Sequence, residues 1–439
     1  MSTSLFVKLM VITSLMSFSN SLQAQDSLSL EDALKVALKQ NFDILLTEKA
    51  VEVNQIQNTW GQAGRFPTVT LSAQQGNNIS DQSNNPTSFI QALLMTNSLQ
   101  GGANVNWTLF NGFRVRANKE KLEQLELQSE GNATLVIENT IQGIILNYYQ
   151  AKLQQEKILL LNNVIELSKQ KWEYQKLRQD LGVALTVDLL QYESAFYQDS
   201  TNLIMQHLAY DNAIRNLNLI MGVDESKQWD LTDEIEVDAV GYDFEALKEK
   251  MLSSNQNIKN EFINIEILAR DITLAKATMY PVVGFNAGAQ FQANSFKIGD
   301  FPRAQGVTVN YYANFTLNFT LYDGGKVKRG IQALEVQNEV NEIQLDKLKS
   351  TLSSELKTHY DLYEARLKMF DLTKKSFRVA QKNFDIAKLK ESSGLINSFA
   401  FRDIEMAYLT TGLSMIETGF NLIESQTNLA KLTGGLLDE

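Results

Sequence analysis

The sequence predicts an α+β membrane protein built as two tandem repeats, each a pair of strands followed by long helical hairpins. Three observations predict it. The chain repeats itself at a nearly fixed offset, its four prolines fall in two short windows, and the stretches between them carry helical apolar spacing over unusual lengths. Proline interrupts helices and sits at strand starts or in loops, so the two windows predict strands or loops and leave the rest free to be helix.

The repetition is read directly from the residues. Phe110-Asn111-Gly112 recurs as Tyr322-Asp323-Gly324. Gly182 recurs as Gly394, Glu193 as Glu405, Asn216-Leu217 as Asn428-Leu429 and Gly222 as Gly434, all at the same offset as that first motif. Upstream, Phe66-Pro67 recurs as Tyr280-Pro281 and Ala33-Leu34 as Ala246-Leu247, with the offset shifted by one or two. A register held over this distance marks a tandem duplication. The resulting organisation is a signal peptide over 1–24, a first repeat over 25–222, an acidic linker over 223–241 and a second repeat over 242–439.

At the N-terminus, Lys8 precedes an apolar stretch from Leu9 to Phe18, and Ala24-Gln25 follows a short polar segment. That stretch is too short to span a bilayer and has the order of an export signal. No later run reaches the roughly 18 apolar residues of a membrane helix. A membrane-embedded chain of this kind must therefore span by β-strands.

Each proline window holds two alternating segments. The first has Val69, Leu71 and Ala73, then Val105, Trp107 and Leu109 separated by Asn and Thr. The second has Val283, Phe285, Ala287 and Ala289, then Phe315, Leu317, Phe319 and Leu321 interleaved with Asn and Thr. One apolar face and one Asn/Thr face at period two suit a strand between lipid and water. The Asn-, Ser-, Gln- and Gly-rich segments Gln75–Gly102 and Gln292–Asn310 predict exposed loops. Phe66, Phe110, Tyr280 and Tyr322 mark one end of the strands and Tyr311 and Tyr312 the other, as interface girdles do.

The long helices follow. From Phe113 to Asp180, and again from Gly325 to Ser392, no proline intervenes. Sixty-eight residues at ~1.5 Å each make a rod on the order of 100 Å. Leu345, Leu348, Leu352, Leu356, Tyr360 and Tyr363 keep the 3/4 spacing of a coiled-coil seam, as do Leu160, Val164, Leu167, Tyr174 and Leu177 in the first copy. After Gly182 and Gly394 the periodicity resumes, over Leu185–Met221 and Phe399–Leu432, and each glycine predicts a helix–turn–helix tip. The linker has seven acids against Lys227, which predicts a solvated connection with a short strand at Ile235–Val237 rather than an acidic binding site.

Composition excludes much. The chain has no cysteine, two histidines and a formal charge of −11. Thiol chemistry, thiolate metal sites and disulfides are ruled out. His207 and His359 lack ligand spacing, so no metal is expected and no cofactor motif appears; Gly324-Gly325 lacks the lysine and spacing of a phosphate loop. No basic block marks a nucleic-acid face. Trp172 and Trp229 read as packing residues.

Four amphipathic strands cannot close a barrel, since the smallest membrane barrels have about eight. The chain must oligomerise or not be a barrel. A ring of subunits would close strands into a shared barrel and helices into a tube.

In this order of features the chain resembles the TolC outer-membrane efflux family. It has an Ala-Leu-bearing leading helix, an aromatic-Pro entry, a Phe/Tyr-Asn/Asp-Gly exit, a long helix, a Gly-bearing tip and an Asn-Leu…Gly close, all duplicated between Leu30 and Gly434. The resemblance implies a homotrimer with one barrel of twelve strands in outer-membrane lipid, continuous with a periplasmic helical tunnel. The linker would lie in its equatorial region. It further implies a passive exit duct for efflux or type I secretion that meets a periplasmic adaptor (membrane fusion protein) and an inner-membrane pump or ABC exporter.

Residues carry over individually. Asp188, six residues after Gly182, matches a family aspartate, and in the second repeat Asp403 matches while the other position is Ala400. Asp188, Asp403 and neighbouring Arg402 are thus the expected periplasmic constriction, with one acidic ring missing. Leu181-Gly182-Val183 and Ser393-Gly394-Leu395 match the adaptor-docking tips. The rival reading is a periplasmic coiled-coil adaptor or structural protein, against which the stripe Phe315-Leu317-Phe319-Leu321 argues. An outer-membrane enzyme lacks any acid–base or nucleophile set.

Overall fold

A computed structural model describes residues 26–183, 185–235 and 240–436. The expected signal peptide and its cleavage point lie outside them. In chain order the elements are β1 (Asp26–Leu28), α1 (Leu30–Gln40), α2 (Phe42–Gln57), β2 (Thr68–Asp81), β3 (Leu93–Asn111), α3 (Arg114–Asp180) and α4 (Thr186–Met221). Then come β4 (Trp229–Leu231), α5 (Phe244–Ser254), α6 (Gln256–Ala277), β5 (Val282–Ile298), β6 (Ala304–Asn318), α7 (Lys326–Ser392) and α8 (Ser398–Leu432).

The duplication holds in three dimensions. In the first hairpin Val69 pairs with Val105, and in the second Val283 pairs with Leu317. Val283 is the repeat counterpart of Val69, and Leu317 that of Val105, so one register serves both hairpins. The four strands form one antiparallel sheet in the order β2-β3-β5-β6.

The two long helices have 67 residues each and begin within one residue of expectation. Their starts explain the Asn/Asp-Gly exit. The Asp323 carboxylate accepts from the backbone N–H of Gly325 (2.8 Å) and Val327 (2.7 Å), and Asn111 does the same more loosely for Val115 at 3.4 Å. The N–H of Val327 holds the Asp323 carboxyl below the usual carboxylate range.

The Asn-Leu…Gly close is also structural. Asn41 caps α2 and donates to the carbonyl of Ile220 (2.7 Å), while Asn255 caps α6 and donates to that of Leu432 (2.9 Å). Gly222 then turns with φ +73°, and a Cβ there would lie 2.3 Å from the Gln40 carbonyl. Only glycine fits that approach.

Each repeat has its own core. Leu28, Ala37, Ile144, Tyr148, Leu217, Trp229 and Leu231 form one, and Met251, Ile258, Leu352, Leu356, Tyr363 and Leu429 the other. The linker differs from expectation. Its strand is Trp229–Leu231, paired in parallel with Asp26–Leu28, and Ile235 is outside any strand, while 236–237 lie outside the described residues. Trp229 and Leu231 alternate inward around exposed Asp230, so this part of the linker is core rather than solvated. Asp233 is tied in as well, accepting from Tyr148 Oη (2.5 Å) and the Leu30 N–H (2.8 Å).

The strands are longer than the alternating segments. Most of Gln75–Gly102 and Gln292–Asn310, expected as loops, is strand, and the connections are only 82–92 and 299–303. Asn, Gln, Ser and Gly read as loop because they outnumber the apolar residues there, yet paired backbone tolerates them. Conversely β6 ends at Asn318, so Phe319 and Leu321 lie beyond the strand, both exposed.

Candidate functional site: a two-faced sheet and two helical tips

The register turns the alternation into two continuous faces. On one, Trp107, Phe285 and Phe315 stand side by side. Next come Val69, Val105, Ala287 and Ala313, followed by Leu71, Ala103, Ala289 and Tyr311. Apolar character runs on to the row of Leu99, Ala293 and Val307, whose β2 member is Gln75, then stops at Asn77, Asn97, Ser295 and Gln305. From Leu317 to Val307 the chain advances about 33 Å at ~3.3 Å per residue. That spans a hydrocarbon core of about 30 Å, or the ~25 Å outer band of a barrel once tilted. Leu109 sits at the register shift between Thr108 and Phe110, a bulge near the sheet's helical end. Tyr311 and Tyr312 lie within β6 rather than at its end, because the strand continues past the apolar band.

The opposite face is polar and uncharged. Its rows are Thr68, Asn106, Asn286 and Asn314; Thr70, Asn104, Gly288 and Tyr312; Ser72, Gly102, Gln290 and Asn310; and Gln74, Gln100, Gln292 and Thr308. Gly288 lets Tyr312 lie across the sheet and donate to Asn104 Oδ1 at 2.5 Å; a Cβ at Gly288 would be 2.8 Å from the Tyr312 hydroxyl. The only charges in the four strands are Asp81 and Lys297, at their far ends. Both edges, β2 and β6, are unpaired among the described residues.

At the other end each long helix stops in the same way. Gly182 takes φ +73° and donates to the Gln179 carbonyl (2.8 Å), and Val183 donates to that of Arg178 (3.0 Å). Gly394 at φ +71° and Leu395 repeat this with Glu391 (2.9 Å) and Lys390 (2.9 Å). These are paired Schellman turns, for which a left-handed glycine is the natural residue. Leu181, Val183 and Leu395 are exposed there, as are Ser393 and both glycines.

The helices leaving the tips differ. Asn397 caps α8 by accepting from Ala400 N–H (2.9 Å), whereas Leu185 offers α4 no side-chain cap. Asp188 stands in the first turn of α4, where the helix dipole favours an acid, and accepts from Ser398 Oγ at 2.5 Å. Asp403 is exposed and forms no hydrogen bond or ion pair with the described residues.

Arg402 does not stand with them. It is buried, donating to both Asp199 oxygens (2.6 and 2.9 Å) and to Glu405 Oε2 (2.6 Å), while Ser168 Oγ donates to Asp199 Oδ2 (2.5 Å). Three helices meet in this cluster. Beside it Lys171 pairs with Glu391, which also accepts from Tyr192 Oη at 3.0 Å. Burial raises the Glu405 carboxyl's pKa, and Arg402 offsets this only in part. The structure thus separates the three expected constriction residues: one linked across the tip, one free in solvent and one inside. The cluster was not apparent in the sequence, where its only local trace is the i, i+3 pair Arg402 and Glu405.

Among the described residues no helix is long and apolar enough to cross a membrane. The family model described as outer membrane efflux protein matches residues 33–223 and 247–435, one match per repeat. The fold is similar to the Campylobacter jejuni CmeC outer membrane channel, at 14% identity and TM-score 0.72, over 92% of this chain and 85% of that one. It is also similar to the open state of the Neisseria gonorrhoeae MtrE outer membrane channel, at 14% identity and TM-score 0.69, over 93% and 89%. The outer membrane protein VceC of Vibrio cholerae matches at 13% identity and TM-score 0.68, over 92% and 96%. At these identities the likeness is one of fold. No curated protein matches the sequence.

Proposed function

This chain belongs to the outer membrane efflux protein family, and from that premise we propose that three copies close a passive exit duct through the bacterial outer membrane. One observation carries the reading: a sheet apolar on one face and uncharged polar on the other over a bilayer's thickness, with both edges unpaired. Inside a bilayer each unpaired backbone group costs several kcal/mol, so the edges must be closed by other copies. Three sheets of four strands make one barrel, with Val105, Trp107, Phe315 and Leu317 toward lipid and the amide rows toward water.

No catalysis is assigned to the duct, and energy comes from a partner. The exposed tips, Leu181-Gly182-Val183 and Ser393-Gly394-Leu395, are the docking points for a periplasmic adaptor that links the duct to an inner-membrane pump or ABC exporter. Asp403 faces the periplasmic opening, Asp188 ties α4 to α8 beside it, and Arg402 holds both helices from within. Residues 1–24 direct export, and 25–222 and 242–439 are the two repeats. The barrel wall is neutral, so charge selection falls to the tips.

The test is the native mass of the detergent-extracted mature protein, with the conductance of the same sample in planar bilayers. A conducting trimer is expected. A chain that leaves the membrane in carbonate and runs as a non-conducting monomer or dimer would overturn the duct in favour of a periplasmic coiled-coil protein.

A further inference from the structure

Where the strands of the first repeat run out into helix, the apolar face of the sheet ends in a groove of about 410 Å³. Its walls are Trp107 and Leu109 of β3, Phe113 of the turn and Trp60 of the segment leading into β2. Arg65 and Arg116 line it too, and both are exposed. Trp107 Nε1 donates to the Arg65 carbonyl (2.9 Å), which fixes the backbone there and leaves the side chain out of the bond. The Arg65 guanidinium lies over the Trp60 ring, 5.0 Å from its centre, and makes no ion pair among the described residues. Arg116 meets Glu120 through Nε alone (3.0 Å), so its two terminal nitrogens stay open.

The surroundings are basic in a chain of net charge −11. Arg114 joins Arg116 at the start of α3, and Lys326, Lys328 and Arg329 repeat them at the start of α7, all exposed. No acid lies between Trp107 and Lys119. Between Leu317 and Leu334 the only acid is Asp323, whose carboxylate is taken up by the N–H groups of Gly325 and Val327. Helix starts favour acids over cations, so the helices themselves gain nothing from this belt. Its height explains it better: it lies just past the Leu317 end of the apolar band, on the helical side, where lipid headgroups would sit.

We propose that the groove binds one phospholipid of the periplasmic leaflet, an acyl chain lying along Trp107, Leu109 and Phe113 and the phosphate held between Arg65 and Arg116. The inference rests on the lipid face of the duct proposed above. Continuity fixes the occupant: Trp107 belongs both to the groove and to the apolar face, so what enters from that side is a lipid chain. Charge fixes the headgroup. Guanidinium groups grip phosphate through paired N–H donors. The belt beside them attracts net negative charge, so phosphatidylglycerol binds in preference to zwitterionic phosphatidylcholine. The second repeat keeps the belt but not the groove residues. In the register that takes Pro67 to Pro281, Trp60 and Arg65 become Leu274 and Met279, and in that of Gly112 and Gly324, Phe113 becomes Gly325. Each copy thus carries the site in its first repeat alone.

Native mass spectrometry of the detergent-extracted protein, with phosphatidylglycerol or phosphatidylcholine added, tests the site. The trimer is expected to keep phosphatidylglycerol, up to one molecule per copy, through collisional activation that strips phosphatidylcholine. Excess inorganic phosphate should not displace it, since a free anion lacks the chain. Arg65→Gln with Arg116→Gln should cut retention several-fold, whereas Lys326→Gln with Lys328→Gln, in the belt of the other repeat, should change it little. Arg65→Met, which breaks no ion pair, should also cut retention several-fold and decides alone if loss of Arg116 disturbs the fold around Glu120. A conducting trimer that holds phosphatidylglycerol no better than phosphatidylcholine, keeps it undiminished after Arg65→Met, or yields it to phosphate overturns the site and leaves the duct standing. A chain that yields no trimer from the membrane removes the duct and the site together.

Discussion

The two ends of this molecule treat the duplication in opposite ways. At the sheet end the repeats are interchangeable: one register serves both hairpins, and each long helix starts on an Asn/Asp-Gly turn. At the tip end they diverge. In the other repeat the counterparts of Arg402, Asp199 and Ser168 are Leu190, Thr411 and Ala380. Only Glu405 has an acidic counterpart, Glu193, and that one meets Tyr197 Oη (3.2 Å) in solvent. Strand pairing in a bilayer constrains every residue on both faces, so the sheet keeps its symmetry. The tips have no such constraint, and asymmetry there lets Ser168 and Asp199 of the first repeat meet Arg402 and Glu405 of the second in one charged cluster.

That comparison breaks most visibly at Arg402. Arg402→Met leaves Asp199 and Glu405 buried without their cation, and losing one partner of such a group costs about 3–5 kcal/mol. The loss should appear as faster hydrogen exchange in α4 and α8 near the tips, with the sheet unchanged. Leu190→Met, the same site in the other repeat, should do little. At the sheet end, Phe315→Lys puts a charge on the lipid face near the end of the apolar band, at a cost of about 1–3 kcal/mol, read by urea titration in vesicles. Thr316→Lys, one residue away on the polar face, should stay within about 0.5 kcal/mol.

Asp403→Lys should lower cation preference, read as a shift in reversal potential across a salt gradient. An unchanged potential would remove Asp403 from the opening. The smallest effect is expected at Glu405. Burial raises its pKa above the unfolded value, so the folded chain holds the proton more tightly and gains stability as pH falls through that raised pKa. Glu405→Gln imitates the protonated form. Its thermal stability should exceed that of the native chain at neutral pH, and the gain should fade in acid as the native carboxyl protonates.

Local signals in the sequence were faithful and non-local ones were not. Both long helices and both glycine tips were legible because proline absence, 3/4 spacing and a left-handed glycine are properties of neighbouring residues. The strands run past their alternating segments, since Gln, Asn and Gly past Ala73 look like loop until cross-strand pairing is known. Trp229 is legible as a packing residue, but Leu231 between Asp230 and Asp233 does not show in the sequence that this part of the linker joins the core. The Arg402 cluster could not be read, because Ser168, Asp199 and Glu405 approach it from three helices. Asp188 and Asp403, which the family resemblance points to, stand near the tips, while Arg402, adjacent in sequence to Asp403, faces the other way on its helix.

The central claim is that the sheet is a section of barrel wall with lipid on one side and water on the other. Single cysteines at Asn314, Phe315, Thr316 and Leu317, probed in intact outer membranes with a charged, water-soluble maleimide, test it directly. Positions 314 and 316 should label and 315 and 317 should not. Equal labelling at all four would place water on both faces and contradict the account.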